Sequence, residues 1–226
     1  MPFILLKRGI LDIKIEKIVY PPLQVNTYIV FDKEGNSVII DPGGDFKPIR
    51  KILEKNNIKI KAILITHSHF DHVLGVSYIE NIVSIPLYVP LGDKSLYYSA
   101  RDFTKNFLGF DPGEFKEPDF WLKGGENLNF GSLEVDVYST PGHTPGHVIY
   151  VINRKIFTGD LIFSGSIGRT DFPESSFEDM KKSILYVINN FSDDFEVYPG
   201  HGPKTTIGIE KRQNYYIIQI QKQVSI

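Results

Sequence analysis

Apolar residues fall along this chain in two rhythms. VNTYIVF (25–31) and SVIID (37–41) flank the turn DKEGN and predict a hairpin. Residues 10 to 40 read as strands. After DPGGD, Phe46, Ile49, Ile52 and Leu53 recur at helical spacing and predict a helix, with Pro48 tolerated in its first turn. The strand KAILIT then runs straight into THSHFDH (66–72). A helix is expected from Val73 to about Val83, followed by a short strand, PLYVP. Residues 91–121 read as irregular and aromatic, from Tyr97 and Tyr98 to Phe120 and Trp121. They are expected to pack against the body of the protein, with a small lid as the alternative.

GSLEVDVYST, HVIYVI and KIFTGD predict three strands, the first with Leu133, Val135 and Val137 alternating against polar residues. Ser175-x-x-Glu178 reads as a capping box that opens a helix to about Asn190. FEVYPG is a further strand, and a last helix is expected from about Ile207 to Gln223. Strands and helices are mixed, with no linker, low-complexity tract or short repeat. The order predicts one α/β domain, residues 1–226, containing two sheets.

Composition narrows the function. Of 226 residues 42% are hydrophobic and 23% charged, which is ordinary for a globular protein. A net charge of -2 gives no reason to expect nucleic acid as a partner. The chain has no cysteine, which removes disulfides, thiolate ligands and a cysteine nucleophile, and fits a cytoplasmic protein. The N-terminus lacks the features of a signal peptide. No apolar run approaches the ~20 residues that span a bilayer, so no membrane partner is expected.

THSHFDH holds three of the chain's six histidines and an aspartate. Unpaired imidazoles are costly to bury, so a metal site is the natural use for them. Three other places share the design of an apolar strand, a turn and a potential ligand. VDVYSTPG leads to His143, KIFTG to Asp160, and FEVYPG to His201. Strand ends anchored in a sheet are stiff platforms for ligands. With His67, His69, Asp71 and His72, the candidates number five His and two Asp. That is too many for one tetrahedral ion. Two divalent ions ~3.5–4 Å apart, sharing a bridging carboxylate, would use them all. Zinc is the first expectation, and iron or manganese suits the same donors. His147, four residues after His143, is expected to support the ligands from behind or to be structural, and Asp41, at the end of SVIID, either to support them or to form a simple Asp-Pro-Gly turn.

These motifs resemble the metallo-β-lactamase superfamily. His67-x-His69-x-Asp71-His72 is similar to its signature. TPGHTPGH (140–147), FTGD (157–160), YPGHGP (198–203), GRTDF (168–172) and TIGIEKRQN (206–214) resemble its short bacterial glyoxalase II-like branch. The resemblance implies a four-layer αββα sandwich, two mixed sheets face to face with helices outside. It implies one metal on His67, His69 and His143, a second on Asp71, His72 and His201, and Asp160 between them. It also implies a hydroxyacylglutathione hydrolase-like thioesterase acting on S-D-lactoylglutathione or a related 2-hydroxyacyl thioester. A metal-bridging hydroxide would attack the carbonyl, with Asp71 orienting it.

The longer enzymes of that branch carry a C-terminal helical domain that holds glutathione, and none is expected here. Arg169 stands where they carry a lysine-centred motif, so Arg169 is a candidate substrate contact and Lys204 a weaker one. The alternative is a one-iron persulfide dioxygenase, which the chain also resembles, with iron on His67, His143 and Asp160. A β-lactamase is disfavoured by the lack of cysteine. A lactonase is disfavoured by Phe163, where many carry tyrosine. The small-molecule thioester is the one partner expected.

Overall fold

The computed structural model describes residues 12–79 and 85–224. β1 (Ile13–Tyr20), β2 (Val25–Asp32) and β3 (Asn36–Ile40) form an antiparallel meander. Helix α1 (Phe46–Asn56) then crosses over to β4 (Lys59–Leu64), which lies parallel to β3. Two short helices follow, α2 (Phe70–Val73) and α3 (Val76–Ile79), and then β5 (Leu87–Pro90). Helix α4 (Lys94–Leu108) leads to β6 (Phe120–Leu122), and β1 to β6 form one six-stranded sheet in chain order.

A second six-stranded sheet begins with the meander β7 (Asn127–Phe130), β8 (Leu133–Ser139), β9 (Val148–Ile152) and β10 (Lys155–Gly159). After a small ribbon, β11 (Ile162–Phe163) with β12 (Ser166–Ile167), helix α5 (Phe177–Asn190) crosses over. It delivers β13 (Glu196–Pro199) parallel to β10, and β14 (Thr205–Thr206) closes the edge. Helices α6 (Ile207–Gln213) and α7 (Tyr215–Val224) end the described chain.

Side-chain alternation explains the layers. In β2, Tyr28 and Val30 point between the sheets, while Ile29 and Phe31 pack outward with Phe46 and Ile49 of α1 and Tyr97 of α4. In β9, Val148, Tyr150 and Ile152 face the same middle core. Ile149 and Val151 face α5 and α7 through Met180, Ile184, Val187 and Ile217. These central strands are covered on both faces, so they read as nearly unbroken apolar runs. The result is the expected αββα sandwich of two mixed sheets.

Several local expectations are corrected. The helix expected from Val73 to about Val83 is two short helices interrupted at Leu74 and Gly75, and its C-terminal end lies outside the described residues. Gly75 lies so close to the carbonyls of Pro42 and Gly44 that an added Cβ would sit 2.6 and 2.7 Å from them. The segment read as irregular contains the 15-residue α4. Its positions Tyr97, Ala100 and Thr104 are buried at helical spacing, and the additional exposed aromatics mask that stripe. The cap of α5 is Ser176, which accepts from Asp179 N, rather than Ser175. Ser175 Oγ instead donates to the His143 carbonyl at 2.8 Å. The last helix is two, broken at Asn214, whose Nδ2 is drawn to the Ser166 carbonyl and Glu210. Among the described residues no helix is long and apolar enough to cross a membrane.

Candidate metal centre

Every candidate donor sits just past the end of a strand, at one edge of the paired sheets. His67, His69, Asp71 and His72 follow β4 and enter α2, His143 lies between β8 and β9, Asp160 follows β10, and His201 follows β13. Three overlapping groups form: His67, His69 and His143; His67, His72 and Asp160; and Asp71, His72 and His201. Within each, the donor atoms lie within 4.8 Å of one another. Asp160 reaches both sides, with Oδ1 3.4 Å from His72 Nε2 and Oδ2 3.4 Å from His143 Nε2. Asp71 Oδ2 is 3.4 Å from His201 Nε2.

Outer hydrogen bonds fix which ring nitrogen faces inward. His143 Nδ1 donates to the Arg169 carbonyl at 2.8 Å, and His201 Nδ1 to the Leu23 carbonyl at 3.0 Å. His72 Nδ1 donates to Asp41 Oδ2 at 3.0 Å. His67 Nδ1 meets Thr66 Oγ1, which donates onward to Asp41 Oδ2 at 2.7 Å. His69 Nε2 meets Glu174 Oε1 at 3.2 Å, which leaves Nδ1 as its inward nitrogen. Such partners set tautomer and orientation in metal-binding histidines.

Asp41 thus sits behind two donors. It is buried, its backbone takes the unusual φ of 50°, and its Oδ1 accepts Thr66 N at 2.8 Å. Aspartate tolerates that conformation better than most residues. His147 is also buried, but both its nitrogens are occupied: Nδ1 by Thr140 Oγ1 at 3.0 Å and Nε2 by Asp160 N at 3.2 Å. It holds the backbone of Asp160 and has no lone pair left to offer. Burial, and then the nearby His143, push its pKa down to about 3, so its ring is neutral.

Inward, three donor atoms lack a hydrogen-bond partner. His67 Nε2, His143 Nε2 and Asp160 Oδ1 are buried with no hydrogen bond. Buried polar atoms are rarely left so. Imidazole nitrogens and carboxylate oxygens that converge on one space, with three of those atoms buried and unpartnered, are what a divalent cation requires. The donor set therefore fits the metal ions that the motifs imply. Electrostatics agree. Burial works against ionisation of Asp160, but His72, His143 and His201 outweigh it and hold its carboxyl well below the usual range. Asp71 is likewise kept ionised against burial by His72 and His201.

The turns are shaped around these atoms. An added Cβ at Gly200 would collide with Asp160 Oδ1 and come within 2.7 Å of His72 Cε1, so the residue before His201 must be glycine. That turn is also tied to the first sheet. Asn26 N donates to the Gly200 carbonyl at 2.7 Å, and its Nδ2 to Pro199 and Gly202 at 2.8 and 2.9 Å.

A profile of the metallo-beta-lactamase superfamily matches residues 20–209, nearly the whole described chain. The chain belongs to this superfamily. Dinuclear metal sites occur in this superfamily, and the His/Asp clusters of this chain fit a metal-binding hydrolase of it. Hydroxyacylglutathione hydrolase GloC of Haemophilus influenzae is 35% identical over 207 residues, covering 90% of this chain and 97% of the relative. Among solved structures, BLEG-1, a B3 metallo-beta-lactamase, superposes with a TM-score of 0.83 at 32% identity, over 90% of this chain and 99% of that one. TTHA1623 in a di-iron-bound form gives 0.81 at 34% identity, over 89% and 99%.

A cavity of about 440 Å³ opens over the superfamily donors His69, Asp71, His143, Asp160 and His201. Arg169 lines it, but its guanidinium is gripped by both oxygens of Asp171 at 2.9 and 2.8 Å. Lys204 lies elsewhere, bonded to Glu196 at 2.6 Å. Two site residues were not legible in the sequence. Glu174, behind His69, lies in a loop 105 residues away. Asp93 is buried just before α4 and accepts from Ser68 N, Thr144 Oγ1 and Gly146 N, which ties two ligand loops together. A lone acidic residue in a polar-looking stretch carries no motif to announce either role.

Proposed function

We propose that this chain hydrolyses a thioester, S-D-lactoylglutathione or a related 2-hydroxyacyl thioester. It would use one divalent metal ion on His67, His69 and His143 and a second on Asp71, His72 and His201, with Asp160 between them. The observation that carries the reading is the convergence of seven donors beneath an open cavity, with the buried Nε2 atoms of His67 and His143 and Oδ1 of Asp160 unpartnered. The similarity to GloC over almost its full length supports the substrate class. Zinc is the proposed metal, and the di-iron form of TTHA1623 supports iron as the alternative.

Bound metal ions supply a hydroxide near neutral pH and Lewis acidity toward the thioester carbonyl. The protein's own groups do the rest. Asp71, ionised at the cavity floor, accepts a hydrogen bond from the attacking water and aims it at the carbonyl carbon. His147 fixes the backbone of Asp160, and Asp41 fixes His72. The leaving thiolate has a conjugate-acid pKa of ~8.5, so it departs without a strong general acid. That suits a site whose histidine rings are all engaged by neighbours or by the donor cluster.

The test is thiol release from S-D-lactoylglutathione by metal-replete protein, beside an Asp71→Ala variant. Turnover that falls by at least about a hundredfold in the variant is expected. Oxygen uptake with glutathione persulfide, with no thiol released from S-D-lactoylglutathione, would replace the proposal with one-iron dioxygenase chemistry. Turnover of a β-lactam alone would replace it with the activity that BLEG-1 is named for.

A further inference from the structure

The cavity above the donors has a polar floor and an aromatic wall. Phe70 stands between His69 and Asp71, and its ring packs on Phe103 and Phe107 of α4 at centroid distances of 5.1 and 5.4 Å. Those two rings stack on each other at 5.9 Å and line the cavity. Across the floor, Phe172 lies 5.2 Å from the His69 ring and Phe163 lies 5.9 Å from the His201 ring.

Phe103 and Phe107 are 54% and 59% exposed, so the core does not need them. The buried stripe of α4 is Tyr97, Ala100 and Thr104. Aromatic rings left half-wet beside a reaction centre gain most from a ligand that covers them.

Charge points the same way. Glutathione carries two carboxylates, which call for free cations. Among the described residues that line the cavity, Arg169 is the one arginine or lysine, and it is already in an exposed ion pair with Asp171. Glu174 adds a negative charge on the same side.

We propose that Phe103 and Phe107 hold an apolar substituent of the substrate, aromatic or branched aliphatic, and set specificity by its size. Glutathione's charges then contribute little. This deepens the thioesterase reading and rests on it. The substituent can sit on the acyl side or the thiol side of the thioester, and the two arms of the experiment separate them.

Three thioesters are compared on metal-replete protein: S-D-lactoylglutathione, S-D-mandeloylglutathione, and the D-lactoyl thioester of benzyl mercaptan. At least one aromatic substrate is expected to exceed S-D-lactoylglutathione in kcat/KM by about tenfold or more, chiefly through KM. The arm that wins identifies the side facing α4. In a Phe103→Ala, Phe107→Ala double variant that ratio is expected to drop by about tenfold. Both residues are more than half exposed, so the variant keeps its fold.

S-D-lactoylglutathione matching both aromatic substrates, or a ratio unmoved by the double variant, overturns the wall while leaving thioester hydrolysis intact. No turnover of any of the three overturns the thioesterase reading. The wall is then judged by calorimetry with two thioethers that need no hydrolysis. S-benzylglutathione binding about tenfold tighter than S-methylglutathione, with the difference lost in the variant, supports it, and equal binding sinks it.

Discussion

The two halves of the donor cluster are built from different chemistry. His67, His69 and His143 are three imidazoles. Burial, together with neighbouring rings, pushes His67 well below its ordinary pKa, and His143 is pushed the same way. On the other side, Asp71, Asp160 and Asp41 surround His72 and raise its pKa well above the ordinary value despite complete burial. His201 is raised as well, burial being outweighed by Asp71 and Asp160. Without metal, His67 and His143 are thus biased toward the neutral ring, and His72 and His201 toward the protonated one. A cation entering the first half meets the lone pairs of those two rings. A cation entering the second competes with protons held beside the carboxylates.

Asp160 is the group that joins the halves, so replacing it should give the largest effect. Asp160→Ala is expected to lower kcat/KM for the thioester by about a thousandfold or more and to cost at least one bound metal by elemental analysis. Wild-type turnover with two metals retained would remove its bridging role. Proton dependence should separate the halves next. Because His72 and His201 are raised, lowering the pH adds protons that the second cation must displace. Chelator competition from about pH 8 to about pH 6 should weaken one equivalent steeply and the other little. Two equivalents that weaken in parallel would erase the distinction drawn here.

Asp41→Asn keeps the shape but removes the charge behind His72. It should cost about 10–100-fold in affinity for the second equivalent and less for the first, by calorimetric titration. Arg169→Ala should do least. The first half uses the Arg169 carbonyl rather than its side chain, and that side chain is in an exposed ion pair. A change in kcat/KM within about threefold is expected. A tenfold rise in KM would instead make Arg169 an anchor for an anionic carrier.

What could be read from the sequence follows from how each feature is encoded. Central strands such as KAILIT and HVIYVI are buried on both faces, so they write themselves as apolar runs. His67, His69, Asp71 and His72 crowd one short stretch after a strand, and His143, Asp160 and His201 each follow a glycine at a strand end, so both patterns are legible. Helix α4 was missed because its outer face is as aromatic as its buried one, which removes the contrast that periodicity depends on. The break at Asn214 was missed because its cause is tertiary, the Ser166 carbonyl lying 48 residues away in sequence. Glu174 reaches His69 through one hydrogen bond and Asp93 ties two ligand loops through three, and no local pattern records partners that distant.

The clamp of Asn26 on the His201 turn bears on how the protein is made. The side-chain bond from Asn26 to the Pro199 carbonyl spans 173 residues, and it seats the last donor against a strand synthesised near the beginning. A growing chain acquires its HSHFDH donors early and then waits for most of its length before His201 can dock. Chains fold from the N-terminus as they emerge. For most of synthesis, then, this one carries half of a metal site with its carboxylates and imidazoles open to any cation in reach. Completion of the site reports that the whole fold has closed, and metal arriving before that moment binds an unfinished protein.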